Sequence, residues 1–147
     1  IELTEKNKDT KSRASNYGTM SAMYWRQLND KDSANYYLDK AMSLDASNPR
    51  FVIQKGDMLV DQKKYDEAFV QYDKAIQMGK ADAEMYAIRS NARIKSMQEK
   101  YHTTNAQELR SKMTPKEKDL VCTDLKKAIS LGLKDMKQDM FASLVCK

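Results

Sequence analysis

Side chains able to do covalent chemistry are few in this chain and stand far apart. His102 is the single histidine, so neither a Ser-His-Asp arrangement nor a metal site built on several histidines can be assembled. It stands between Tyr101 and Thr103, where an exposed loop histidine is the ordinary explanation. There is no glycine-rich phosphate loop. Carboxylates are abundant, but they pair with lysines at helical spacing, which places them on solvated helix sides. A general acid needs a pocket to shift its pKa, and nothing in the sequence signals one. No enzyme, cofactor or metal is expected. Cys122 and Cys146 are the only cysteines. A disulfide between their helices would tie down the C-terminus and imply export; buried free thiols are the alternative.

The elements that would position such residues are helical. A chain of 147 residues with 32% charged and 41% apolar residues, but only four Gly and two Pro, fits one all-helical domain. No run approaches the roughly 18 apolar residues of a membrane span. The net charge is +5, with the excess in the last third. A solvated lysine surface accounts for it better than a nucleic acid or other polyanion partner. The chain opens on Ile1 rather than Met, which leads to the expectation of a removed upstream segment. Localisation stays open, leaning to an exported (periplasmic or envelope) protein.

Residues 1–13 read as a polar leader grading into a first helix over 14–28, with Tyr17, Met20, Ser21, Tyr24, Trp25 and Leu28 on one face. Asp30 caps a helix over 31–45. Asn48-Pro49 opens the next, over 50–62, since proline loses nothing at the first helical position. A helix over 65–78 ends at Gly79, and Asp82 starts a long one reaching about 101. Asn105…Glu108 and Thr114…Glu117 are two capping boxes, for a short helix over 106–112 and a longer one over 115–131. The last helix covers 135–146, with Met136, Met140, Phe141, Leu144 and Val145 inward. Of the ten methionines, most fall at core spacing; Met23 is the best candidate for a sticky surface.

One stretch repeats. Tyr72-Asp73-Lys74-Ala75-Ile76 meets Leu38-Asp39-Lys40-Ala41-Met42 at an offset of 34 and Leu125-Lys126-Lys127-Ala128-Ile129 at 53, which is 34 plus 19 inserted residues. Ala22, Gly56 and Ser90 are also 34 apart, as are Ala34 and Ala68, followed after the insertion by Val121. Small residues at these steps let paired helices approach. On these residues the chain resembles the tetratricopeptide repeat family over about 15–146. The match is imperfect, because the large aromatic expected early in the first helix is Gly18 in one unit and Val52 in the next, with Tyr86 restoring it in the third.

The resemblance implies an α-α superhelix of helix-turn-helix repeats, with units over about 15–48, 49–81 and 82–134, an insertion over 96–114, and a C-terminal capping helix. It also implies a non-enzymatic scaffold whose first helices line a concave groove for a peptide or protein segment. The groove positions would be Asn16, Thr19, Met23, Arg26, Arg50, Ile53, Gln54, Asp57, Val60, Glu84, Ala87, Ile88 and Asn91. Each could equally be a solvated side chain on a curved surface. One subclass clamps a C-terminal carboxylate with cationic groove residues. The matching positions here are Thr19, Met23, Gln54, Glu84 and Ile88, which supply no cation, so chaperone tails of that kind are not expected. A structural module of a larger envelope assembly, and a polyanion binder using the basic last third, are the other readings. For the insertion, a functional role (closing one end of the groove or making a second contact surface) and neutral surface elaboration are weighed evenly.

Overall fold

Local chemistry sets the helix boundaries. The computed structural model describes residues 10–147. Its eight described helices are α1 (Thr10–Arg26), α2 (Lys31–Leu44), α3 (Pro49–Asp61), α4 (Tyr65–Gln77), α5 (Ala83–Tyr101), α6 (Ala106–Lys112), α7 (Pro115–Ser130) and α8 (Met136–Val145). Six start on a side-chain oxygen that accepts a free amide of the first turn: Asp30, Asn48, Asp82, Asn105, Thr114 and Asp135. Thr114 and Glu117 close a complete capping box. Asn105 and Glu108 form only half of one, because the Glu108 carboxylate accepts from Thr103 and Lys112 instead. Gly79 and Gly132 take φ +100° and +101°. There the next residues, Lys80 and Leu133, donate back to Ala75 and Ala128 at 3.1 and 3.0 Å.

The helices pair as α1 with α2, α3 with α4 and α5 with α7, and neighbouring pairs meet through α2 on α3 and α4 on α5. These contacts between adjacent helices fit a helical repeat. Among the described residues the core falls into three clusters in chain order. The first gathers Ala34, Leu38, Ala41, Phe51 and Met58; the second gathers Val52, Ala68, Tyr72, Ala75 and Met85; Met42 packs against both. The third gathers Ile94, Leu109, Met113, Val121 and Val145. Residues related by the repeat offset share their environment: Ala41, Ala75 and Ala128 are all fully buried, as are Leu38 and Leu125, with Tyr72 all but so.

Gly18 and Gly56 explain where aromatics sit. A Cβ on Gly18 would lie 2.7 Å from Phe51 Cε1, so the ring from α3 fills the place where α1 lacks an aromatic. A Cβ on Gly56 would lie 2.5 Å from Tyr72 Cε1, and that ring is pinned by its hydroxyl to Asp57 at 2.6 Å. Gly56→Ala should therefore destabilise by about 1–2 kcal/mol in urea unfolding, because overpacking outweighs the helix propensity gained. An unchanged midpoint would mean the ring retreats freely.

Several inward assignments are corrected. The α1 helix begins at Thr10, inside the expected leader, and ends at Arg26; residues 1–9 lie outside the described residues. Leu28 then falls in the turn and is exposed. Ser21 is fully buried, as is Ala14 earlier in α1, while Ala22 is only half-buried. Met136 and Met140 point outward at 84% and 61% exposure, because α8 turns Gln138 and Val145 to the core.

The insertion contributes to the core while most of its surface stays exposed. Leu109 of α6 is fully buried, Met113 nearly so, and α6 packs on α8 and α5. Lys100 and Tyr101 both donate to Glu117 across its ends. The Lys100 bond and then the Tyr101 bond hold the Glu117 carboxyl down at about 2.

Candidate functional site

The helices α1, α3 and α5 present three adjoining hollows, of about 540, 280 and 30 Å³. Thr19, Arg26, Arg50, Ile53, Gln54, Asp57, Glu84 and Ile88 line the largest. Asn91 joins Arg26, Asp57 and Ile88 in the second. Asn16 and Met23 are exposed on α1 but line none of the three. Ala87 is a correction: it is buried at 7% exposure, because it turns into the helix packing instead of the open face. Val60 is buried too, yet forms part of the wall of the second hollow. No residue of 96–114 lines these hollows, so the insertion does not close this face.

Asp57 and Arg26 are the residues common to all three hollows. Asp57 sits on α3 with one carboxylate oxygen accepting from the Tyr72 hydroxyl at 2.6 Å. One turn further along α3, Asp61 accepts from the Trp25 indole at 2.8 Å. Gln54, one turn earlier, donates to the Gly18 carbonyl at 3.0 Å, tying α3 to α1. Burial pushes the Asp57 carboxyl above its usual range; the Tyr72 bond opposes this, Asp61 adds to it, and Arg26 and Lys95 oppose it. Burial and the Asp57 charge raise the Tyr72 hydroxyl well above the normal tyrosine value. Glu84 does not stand as a bare charge, since Lys80 lies 3.6 Å from it and 2.7 Å from Asp82. The face thus offers fixed carboxylates, an amide and long cationic arms. It can bind mixed polar groups. Among the described residues, no group of three or more His, Cys, Asp or Glu is placed to hold a metal ion, and no helix is long and apolar enough to cross a membrane.

Three features lie away from this face. Sequence reading places the carboxylates on solvated helix sides, but Asp124 is buried at 3% exposure. It accepts from Arg89 Nη2 and Nε at 2.7 and 2.8 Å and from Arg93 Nε at 3.2 Å, while Arg89 Nη1 also reaches Asp73 at 2.8 Å. Its position on the same side of α7 as Val121 and Ala128 is the signal that could have revealed it. Cys122 and Cys146 are joined, with Cα atoms 5.5 Å apart. His102 caps α5 in the left-handed conformation and is exposed.

Comparison with known proteins finds no family model that matches the chain and no curated relative.

Proposed function

We propose that this chain is a tetratricopeptide-type scaffold: a curved stack of helical hairpins, with a non-enzymatic role, that binds an extended peptide or protein segment along the face of α1, α3 and α5. The observation that carries the reading is that three hollows adjoin along one helix of each pair, and share Asp57 and Arg26. A strand-like segment presents side chains at regular steps and suits shallow hollows edged by amides and charges. The Cys122–Cys146 bond supports an oxidising compartment, and with it an exported protein.

The test is affinity capture from the native host with the full chain, comparing wild type with Arg50→Glu and Asn91→Ala. Both residues are exposed, so both variants should melt like the parent. Partners lost by the variants at unchanged melting support the groove. Identical partner sets in all three would refute it and leave a structural module as the better description.

A further inference from the structure

Between α5 and α7 lies another hollow, of about 450 Å³, which shares no lining residue with the three on the open face. Its walls carry three cations (Arg89, Lys126 and Lys127), three hydroxyls (Tyr86, Thr123 and Ser130) and one carboxylate, Asp124. That carboxylate does not offset the cations. Its oxygens already accept three N–H bonds from Arg89 and Arg93, and Asp73 accepts a fourth from Arg89. Two arginines thus balance two carboxylates inside the network, and the charge of the two lysines is left over. Lys126 and Lys127 are exposed, and among the described residues neither makes an ion pair.

Arg89 is the fixed member of the set. Held by Asp124 and Asp73, it has committed three of its five N–H groups and keeps two. The Tyr86 ring, 5.7 Å from the guanidinium carbon, restricts it further. Carbonyls in the last turn of α7 would otherwise repel an anion, but they are occupied. Lys127 O accepts from the Leu131 amide and the Ser130 hydroxyl, Ala128 O from Leu133, and Ile129 O from Gly132.

We propose that this hollow binds a phosphate-type dianion, free or carried as a phosphomonoester. Arg89 supplies oriented donors, Lys126 and Lys127 close over the anion as mobile point charges, and the Thr123 and Tyr86 hydroxyls add neutral donors. The site goes beyond the peptide groove and stands or falls separately from it.

The probes are inorganic phosphate, capped phosphoserine and capped serine, titrated at constant ionic strength into the full disulfide-bonded chain at about pH 8, where the phosphates are doubly charged. NMR follows the Arg89 Nε–H, the Tyr86 ring and the Thr123 amide. Both phosphates should give saturable shifts there, and serine should give none. Tighter binding of phosphoserine supports a carried ester, and tighter or equal binding of inorganic phosphate supports the free anion. Lys126→Gln/Lys127→Gln should weaken phosphate binding at least about tenfold. Lys116→Gln/Lys137→Gln removes the same charge from exposed positions outside the hollow and should change it less than about twofold. Melting curves check that both variants keep the fold. An equal loss in the two double variants would show diffuse attraction to a basic surface and overturn the site. So would shifts confined to other residues, or no saturation at tens of millimolar phosphate.

Discussion

An Asp124→Ala variant is expected to unfold about 3–5 kcal/mol more easily than the parent, the usual cost of breaking a buried ion pair from one side. The size follows from what is left behind. Arg89 and Arg93 of α5 both turn toward Asp124, their side chains 18% and 17% exposed. Without the carboxylate, two guanidinium groups face each other in a space that water reaches poorly. Asp73 retains one arm of Arg89, at 2.8 Å, and Arg93 keeps its place over the Phe69 ring, so the loss should stay short of the full desolvation of two charges. Domains of this size carry roughly 5–15 kcal/mol in total, so the variant loses a large share of its stability. Urea unfolding of Asp124→Ala, Asp124→Asn and the double variant Asp124→Ala/Arg89→Met separates the causes. The asparagine variant should fall between parent and alanine, and the double variant should recover part of the loss. A change below about 1 kcal/mol in Asp124→Ala would mean that water already screens the pair.

This network also marks where sequence reading stops. Caps at Asp30, Asn48, Asp82 and Thr114, and the left-handed glycines Gly79 and Gly132, obey rules that act within a few residues, so they could be read directly. The buried faces at Ala41, Ala75 and Ala128 could be read because repetition supplies three copies of one packing problem. Asp124 has no such copy: its repeat counterpart, 53 positions back, is Gln71, and its partners come from another helix. The same holds for the hydrogen bond between Tyr72 and Asp57, a contact between α3 and α4 that no spacing announces. The outward turn of Met136 and Met140 was hidden because α8 carries apolar residues on more than one side and has no repeat to fix its register. The positions read from helical spacing fall partly on the hollows of α1, α3 and α5, but Ala87 and Val60 are buried and Asn16 and Met23 line none of them. The charges of that face were not legible, since Asp57 acquires its character from burial and from Tyr72, Arg26 and Lys95 gathering around it from three other helices.

Reducing the Cys122–Cys146 bond, or replacing Cys146 by serine, should cost about 3 kcal/mol and loosen one end of the molecule selectively. The bond closes a loop with a sequence separation of 24, and a loop of that size restricts the unfolded chain by about 3 kcal/mol in the entropic account. In the folded chain the loop contains all of α8, whose other holds are few: Val145 and Phe141 in the third core cluster, contacts to α6 and α7, and Arg110 donating to the Leu144 carbonyl at 3.3 Å. When α8 lifts, Leu109 and Met113 lose their cover, so α6 should follow it. The hairpins α1–α2 and α3–α4 share no core cluster with this end, and in a stack held by nearest-neighbour contacts they should stay closed. Hydrogen exchange with and without reductant is the decisive measurement. Amides in 106–112 and 136–145 should exchange much faster once the bond is open, while those of α3 and α4 keep their protection. Uniform acceleration along the whole chain would show that the three clusters unfold as one body, and no acceleration would show that α8 is held by packing alone.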